Sequence, residues 1–229
     1  MHRLISSRLS AGGTVLSGVA DNDAMLQDLM LLDGATNDRI QGEQHGLIGI
    51  GPHELLYGIP GAQIVNAAFT HSSEHGARFN DHTRGAWYAA DEVETSLSEV
   101  IYHKAKRLAD IVVPGLPHNR PDRDVSTYDD WLADFRSQFH ILEPPEDYSE
   151  CLQAEPVPQC YAASQQMARH MLEGRSNGLV YPSVRRAGHW CIVCFRPALV
   201  SNPRLDLRLE ITLTDTDTGY QHEVRSVDR

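Results

Sequence analysis

Between Leu205 and Leu213 the chain alternates without a break: Leu205, Leu207, Leu209, Ile211 and Leu213 hold every second position, with Asp206, Arg208, Glu210 and Thr212 between them. Only an extended strand places residues i and i+2 on one face, so this run predicts a strand with one wall on an apolar core and the other on polar surroundings. Turn-forming residues follow over 215–219, and residues 220–225 then predict a return strand that closes an antiparallel hairpin.

The rest of the chain must supply layers to cover that sheet. Residues 22–33 place Met25, Leu26, Leu29 and Met30 on one helical face, and Gly34 ends the pattern. The Gly- and Pro-punctuated stretch 46–61 reads as surface turns; Gly49 and Gly51 hint at a phosphate loop, but no complete G-x-G-x-x-G follows. Residues 62–70 and 86–90 are short apolar runs that predict strands bracketing a polar loop, 71–85. From Asp91, with Glu94 three residues on as in a capping box, the period turns helical, and Val93, Leu97, Val100, Ile101 and Leu108 share a stripe. Tyr128, Trp131, Leu132, Phe135 and Phe139 predict a further helix over 126–140, and residues 159–173 another before Gly174. Residues 190–195 read as a buried strand. Without regular β-α-β alternation, the order argues for an α+β fold.

With 20 Lys and Arg against 31 Asp and Glu in 229 residues, the formal net charge is −11, and no stretch gathers a basic surface for a phosphate backbone. Direct nucleic-acid binding is therefore not expected, and an anionic ligand would need locally placed Arg or backbone N–H groups. No signal-peptide core and no membrane-length apolar run is present, which predicts a cytoplasmic protein without membrane attachment. Cys191 and Cys194 have C-x-x-C spacing, but in a strand residues three apart point to opposite faces. They read as structural thiols, as do Cys151 and Cys160. His71 and His75 lack a convincing third ligand, and no metal is expected.

Read from the residues alone, Arg78 is a solvated loop cation, Tyr88 a core strand aromatic with its hydroxyl at the rim, and Glu99 an exposed helix carboxylate. At about 100° per residue, Glu99 lies opposite the apolar stripe and close to Thr95 and Tyr102, so it faces either solvent or a polar cleft.

The segment from Gly178 to Gly188, Gly-Leu-Val-Tyr-Pro-Ser-Val-Arg-Arg-Ala-Gly, sets these residues in a pattern. Arg78-Phe79-Asn80 before a strand ending Tyr88-Ala89-Ala90, a helix bearing Glu99, and Tyr181-Pro182-Ser183-Val184-Arg185 together resemble the RES domain, named for an Arg, a Glu and a Ser. The match covers roughly residues 65–197, and Ala187-Gly188 stands where the family usually has Gly-Gly. The resemblance implies that Arg78, Tyr88, Glu99 and Ser183 are catalytic, and that Arg78, Asn80, Tyr88 and Ser183 contact NAD as substrate. It implies an ADP-ribosyltransferase-like fold of two small sheets meeting at an NAD cleft flanked by helices, and a toxin held by a cognate antitoxin that covers the site. Residues 1–60 would be an N-terminal extension with a helix, packed on a catalytic domain of residues 61–229.

The implied chemistry suits these residue types. Breaking the nicotinamide-ribose bond builds positive charge on the ribose, which an ionised Glu99 of ordinary pKa would stabilise. Arg78 would fork onto the pyrophosphate, Tyr88 would offer a flat face to nicotinamide, Asn80 would bond the cofactor or fix its own turn, and Ser183 would orient the carboxylate or the ribose. ADP-ribose would pass to a host protein, or to phosphate or water if the protein acts as an NAD phosphorylase or glycohydrolase. A non-catalytic module that keeps the cleft to seat a partner is the more distant reading.

Overall fold

The structure, a computed structural model, describes residues 1–10 and 38–228. The helix expected over 22–33 lies outside the described residues.

Eight strands form one hydrogen-bonded series in the order β4-β5-β6-β2-β1-β3-β7-β8: β1 (His2–Ser6), β2 (Trp87–Ala90), β3 (Arg123–Asp134), β4 (His140–Ile141), β5 (Gly178–Pro182), β6 (Trp190–Cys194), β7 (Ser201–Thr216) and β8 (Gly219–Ser226). The pairs are antiparallel except β4 with β5. The helices are α1 (Ser7–Ser10), α2 (Asp38–His45), α3 (Ala62–Thr70), α4 (Val93–Ala109) and α5 (Ala162–Glu173). The protein is a mixed α and β fold, as the element pattern predicts, and its strands form one large sheet.

The sheet is narrowest in its middle. β1 pairs with β3 along its whole length, but with β2 only at His2 and Ala90. Where the resemblance implies two small sheets, the strands therefore form one series whose two halves part beyond a single residue pair. Beyond that pair the Tyr88 carbonyl accepts a hydrogen bond from the Arg3 guanidinium, Nη1 to O 3.1 Å, in place of a strand neighbour.

The helices cover the sheet by the faces their sequences dictate. The apolar stripe of α4, with Leu97, Val100, Ile101 and Leu108, packs on Ile211 and Leu213 of β7, the inward wall of the alternating strand. On α3, Ile64, Val65 and Phe69 join Trp87 and Ile192 in a second core. Ala168 of α5 meets Leu179, Val193 and Phe195 in a third. Residues 220–225 fall in the return strand β8, as expected.

Two expectations are corrected. Residues 62–70 are a helix rather than a strand, because their apolar side chains are buried nearly all round and such a run has no face to betray its period. Buried Asn66 is accommodated there by holding the Leu56 N–H at 2.9 Å and the Leu56 carbonyl at 2.8 Å. Residues 126–134 are strand rather than helix. β3 shifts register between Asp129 and Trp131 and again between Leu132 and Asp134, so bulges break its alternation and leave a spacing that imitates a helical stripe. The start of α4 also departs from a capping box: the Asp91 carboxylate accepts from the Glu92 N–H at 2.9 Å and the Thr95 hydroxyl at 3.1 Å, and Glu94 takes no part.

Candidate functional site

Where β1 and β2 part, α4 crosses the gap, and the space between is a cleft of about 250 Å³. Arg78, Tyr88 and Glu99 all line it, together with Arg3, His103 and Tyr161. Three residues singled out from the sequence, carried on a turn, a strand and a helix in succession, thus share one hollow.

Arg78 is brought there by a tight turn. The Ala77 and Asn80 backbones pair across it, with the Ala77 N–H to the Asn80 carbonyl at 2.8 Å. Gly76 precedes it at φ +68°, where a Cβ would lie 2.1 Å from the Asn80 carbonyl oxygen, so glycine is required by both conformation and space. The amide of Gln165, from α5, reaches the carbonyls of His75, Ala77 and Asn80 at 2.9, 3.0 and 3.1 Å and clamps the turn from outside. Nη1 of buried Arg78 donates to the Cys151 carbonyl at 3.0 Å and the Gln153 carbonyl at 2.7 Å, and the guanidinium lies 5.1 Å from the Tyr161 ring centre. The fork is anchored by one nitrogen.

Tyr88 presents its ring to the cleft while its hydroxyl is used behind it, accepting from the Phe79 N–H at 2.9 Å and donating to Asn80 Oδ1 at 2.8 Å. Burial raises its phenol well above the ordinary range. Asn80 is buried, and its amide nitrogen donates to the Asp81 carbonyl at 2.9 Å, so both ends of the side chain fix the turn.

Glu99 faces the polar cleft rather than open water. The wheel alone could not separate the two, because the loop after β5 covers that side of α4: Arg185 stacks 3.4 Å from the Tyr102 ring centre, and Arg186 Nη1 donates to Thr95 Oγ1 at 3.0 Å. Burial pushes the Glu99 carboxyl above its ordinary value, against the opposing pull of Arg185 and Arg78.

Ser183 sits one side chain behind the wall. Its Oγ accepts from the backbone N–H groups of Arg185 at 3.3 Å and Arg186 at 3.1 Å, and it neighbours the Cys191 thiol, which lines the cleft. The structure therefore brings Arg78, Tyr88 and Glu99 to the cleft and sets Asn80 and Ser183 in the layer that holds it.

Two further cleft residues escape sequence reasoning. Arg3 lies beneath the gap with its guanidinium 4.8 Å from the Trp87 ring centre. Burial lowers its pKa to about 10, and its Nε has no hydrogen-bond partner among the described residues. His103 stands one helical turn after Glu99, with Nε2 3.7 Å from Oε2. The i, i+4 spacing on α4 was a usable signal for His103, whereas a lone Arg in an N-terminal strand offered none.

Cys191 and Cys194 are free, buried and directed into different cores, and burial raises their thiols to about 12 and about 11. Among the described residues, no group of three or more His, Cys, Asp or Glu side chains could hold a metal, and no helix is long and apolar enough to cross a membrane.

A split sheet crossed by a helix, with two guanidinium groups and a half-buried carboxylate lining one hollow, forms a site whose residue types suit an anionic ligand beside an acid. The chain belongs to the RES-domain family, whose model matches residues 55–214. RES domains are NAD-related domains of enzymatic toxins, which pair with antitoxins in toxin–antitoxin systems. β1 and its Arg3 stand outside the matched span, yet they form one wall of the cleft. No curated protein matches the chain.

Proposed function

We propose that this protein is an NAD-consuming toxin of the cytoplasm that breaks the nicotinamide-ribose bond and passes ADP-ribose to a host protein, on an ADP-ribosyltransferase-like fold. The observation that carries this reading is the convergence of Arg78, Tyr88 and Glu99 on one cleft at the parting of β1 and β2.

The residues present fit NAD as substrate. Arg78 and Arg3 offer guanidinium groups to the pyrophosphate, against the field of a chain with net charge −11. The Tyr88 ring offers a face to nicotinamide, with Tyr161 beside Arg78. Glu99 stabilises positive charge at the ribose as the bond breaks, and nicotinamide leaves uncharged without help from a metal. Asn80 acts on the substrate through the turn that carries Arg78, and Ser183 through Cys191 and the loop that carries Arg185. The cleft's size suits the reacting end of a dinucleotide, with the adenosine end outside.

Transfer to phosphate or water, as in an NAD phosphorylase or glycohydrolase, uses the same residues. A cognate antitoxin would silence the protein by covering the cleft, without direct nucleic-acid or membrane binding by this chain.

Adenine-labelled NAD incubated with the chain, cell lysate and phosphate tests the reading. Label on a discrete protein that vanishes with Glu99→Gln supports transfer, and ADP-ribose or its phosphate as sole products supports depletion. Absence of turnover by the unaltered chain overturns both.

A further inference from the structure

A second hollow, of about 280 Å³, adjoins the cleft and shares Glu99, Val100 and His103 with it. Beyond these three it is lined by Lys104, Arg107, Leu108 and Tyr128. Glu99 and His103 are thus the polar part of a partition between two spaces, with 3.7 Å between Nε2 and Oε2. With NAD in the cleft as read above, an acceptor needs a route to the ribose that the dinucleotide does not fill, and the second hollow, which reaches Glu99 and His103 as well, offers one.

Resting on the NAD reading above, we propose that the second hollow admits the acceptor, that the acceptor is a hydroxyl, and that His103 is the catalytic base that takes its proton. In the step, a lone pair of the hydroxyl oxygen forms a bond to C1 of the nicotinamide ribose. The C1–N bond breaks, its electron pair passes to the nicotinamide ring, and nicotinamide leaves uncharged. The hydroxyl proton moves to Nε2 of His103, which afterwards returns it to solvent through the second hollow.

The lining selects the acceptor chemistry. Lys104 is paired with Asp124 at 2.8 Å, and Glu99 shares the lining with Arg107, so the charges of the hollow offset one another and favour a neutral acceptor over a free cation or anion. A carboxylate needs no base. A hydroxyl, of water or of a protein side chain, needs one within reach of the attacking oxygen.

Burial, then Arg185 and Arg78, then Arg107 and Lys106 hold His103 down to about 4, which leaves it uncharged at pH 7 but a weak base until substrate charge offsets those cations. Glu99 is the carboxylate facing it from the same helix, and the Tyr102 ring lies edge-on at 5.1 Å. A pyrophosphate placed among Arg78 and its neighbours offsets part of that positive field, so bound substrate raises the basicity of His103.

The test compares the full chain with its His103→Asn and Glu99→Gln variants in NAD consumption, with and without sodium azide, a nucleophile that carries no proton. We expect His103→Asn to lower kcat at least about a hundredfold with little change in KM for NAD. Azide should restore its turnover as ADP-ribosyl azide while leaving Glu99→Gln inactive. Turnover within about threefold of the unaltered chain, or a loss that azide leaves in place, overturns the role of His103 while the NAD reading stands. An unaltered chain that neither binds nor consumes NAD overturns both. Should His103→Asn not fold, His103→Gln is put through the same azide comparison, with the same results supporting or overturning the proposal.

Discussion

The Tyr88 hydroxyl donates a 2.8 Å hydrogen bond to Asn80 Oδ1 and accepts one of 2.9 Å from the Phe79 N–H, so the aromatic ring in the cleft and the turn that carries Arg78 are one mechanical unit. Tyr88→Phe keeps the ring but leaves a buried acceptor and a buried N–H unpaired. A loss of about 1–3 kcal/mol is expected in urea unfolding, with KM for NAD rising more than kcat falls. Because Asn80→Ala removes the same contact from the other side, the double variant should lose less than the sum of the two single losses. Strict additivity would refute the coupling.

Glu99 is held between burial, which raises its pKa, and the pull of Arg185 and Arg78, which lowers it. Activity that needs the ionised form should fade on the acid side at a pH above the ordinary carboxylate value of 4.5. Replacing Arg185, the larger of the two opposing charges, with Met should move that acid limb to higher pH. Glu99→Gln should lower kcat by about 10²–10³ on the pH plateau, a gap that closes below the acid limb, while NAD still binds, read by calorimetry beside turnover. An acid limb that stays in place with Arg185→Met would separate Glu99 from the titration.

How much of this was legible depended on how local the determining contacts are. The alternating run beginning at Leu205, the stripe of α4 and the turn-strand-helix order from Arg78 to Glu99 all follow from neighbours in sequence, and they hold in the structure. The helix α3 and the bulged strand β3 were misread because their periods are set by burial on all sides and by register shifts against β7. Arg3 was invisible for a different reason. Its place in the cleft depends on a strand drawn from the first residues into the middle of the sheet, and that pairing joins His2 to Leu132 and Ala90.

Arg3 therefore offers an independent check on the cleft. Its Nη1 satisfies the Tyr88 carbonyl at 3.1 Å, and its guanidinium packs at 4.8 Å from the Trp87 ring centre. Arg3→Lys retains a positive charge but loses the planar fork and its stacking, so KM for NAD should rise about tenfold or more with the fold preserved. Circular dichroism would confirm the fold. Unchanged kinetics would place the pyrophosphate elsewhere.

Asp129 is almost wholly buried in β3, where the Arg208 guanidinium meets it at 2.6 and 3.1 Å and the Ser7 and Ser10 hydroxyls add hydrogen bonds. Burial alone would raise its pKa, but the bonds from Arg208, Ser10 and Ser7 together bring it below the ordinary value of 3.8. A carboxyl depressed in the folded state contributes stability that is fully present above its unfolded pKa and is lost as pH falls through the folded value. The unaltered chain should therefore keep this contribution from neutral pH down to about 4 and lose it only below. Arg208→Met reverses the sign, because burial then dominates and the folded carboxyl titrates above the unfolded one. That variant should unfold at lower urea than the unaltered chain at pH 7, and the gap should narrow as pH falls toward 4.5, where the buried carboxyl takes a proton. A gap of constant size across that range would show that Asp129 stays ionised without Arg208, held by the two serines alone.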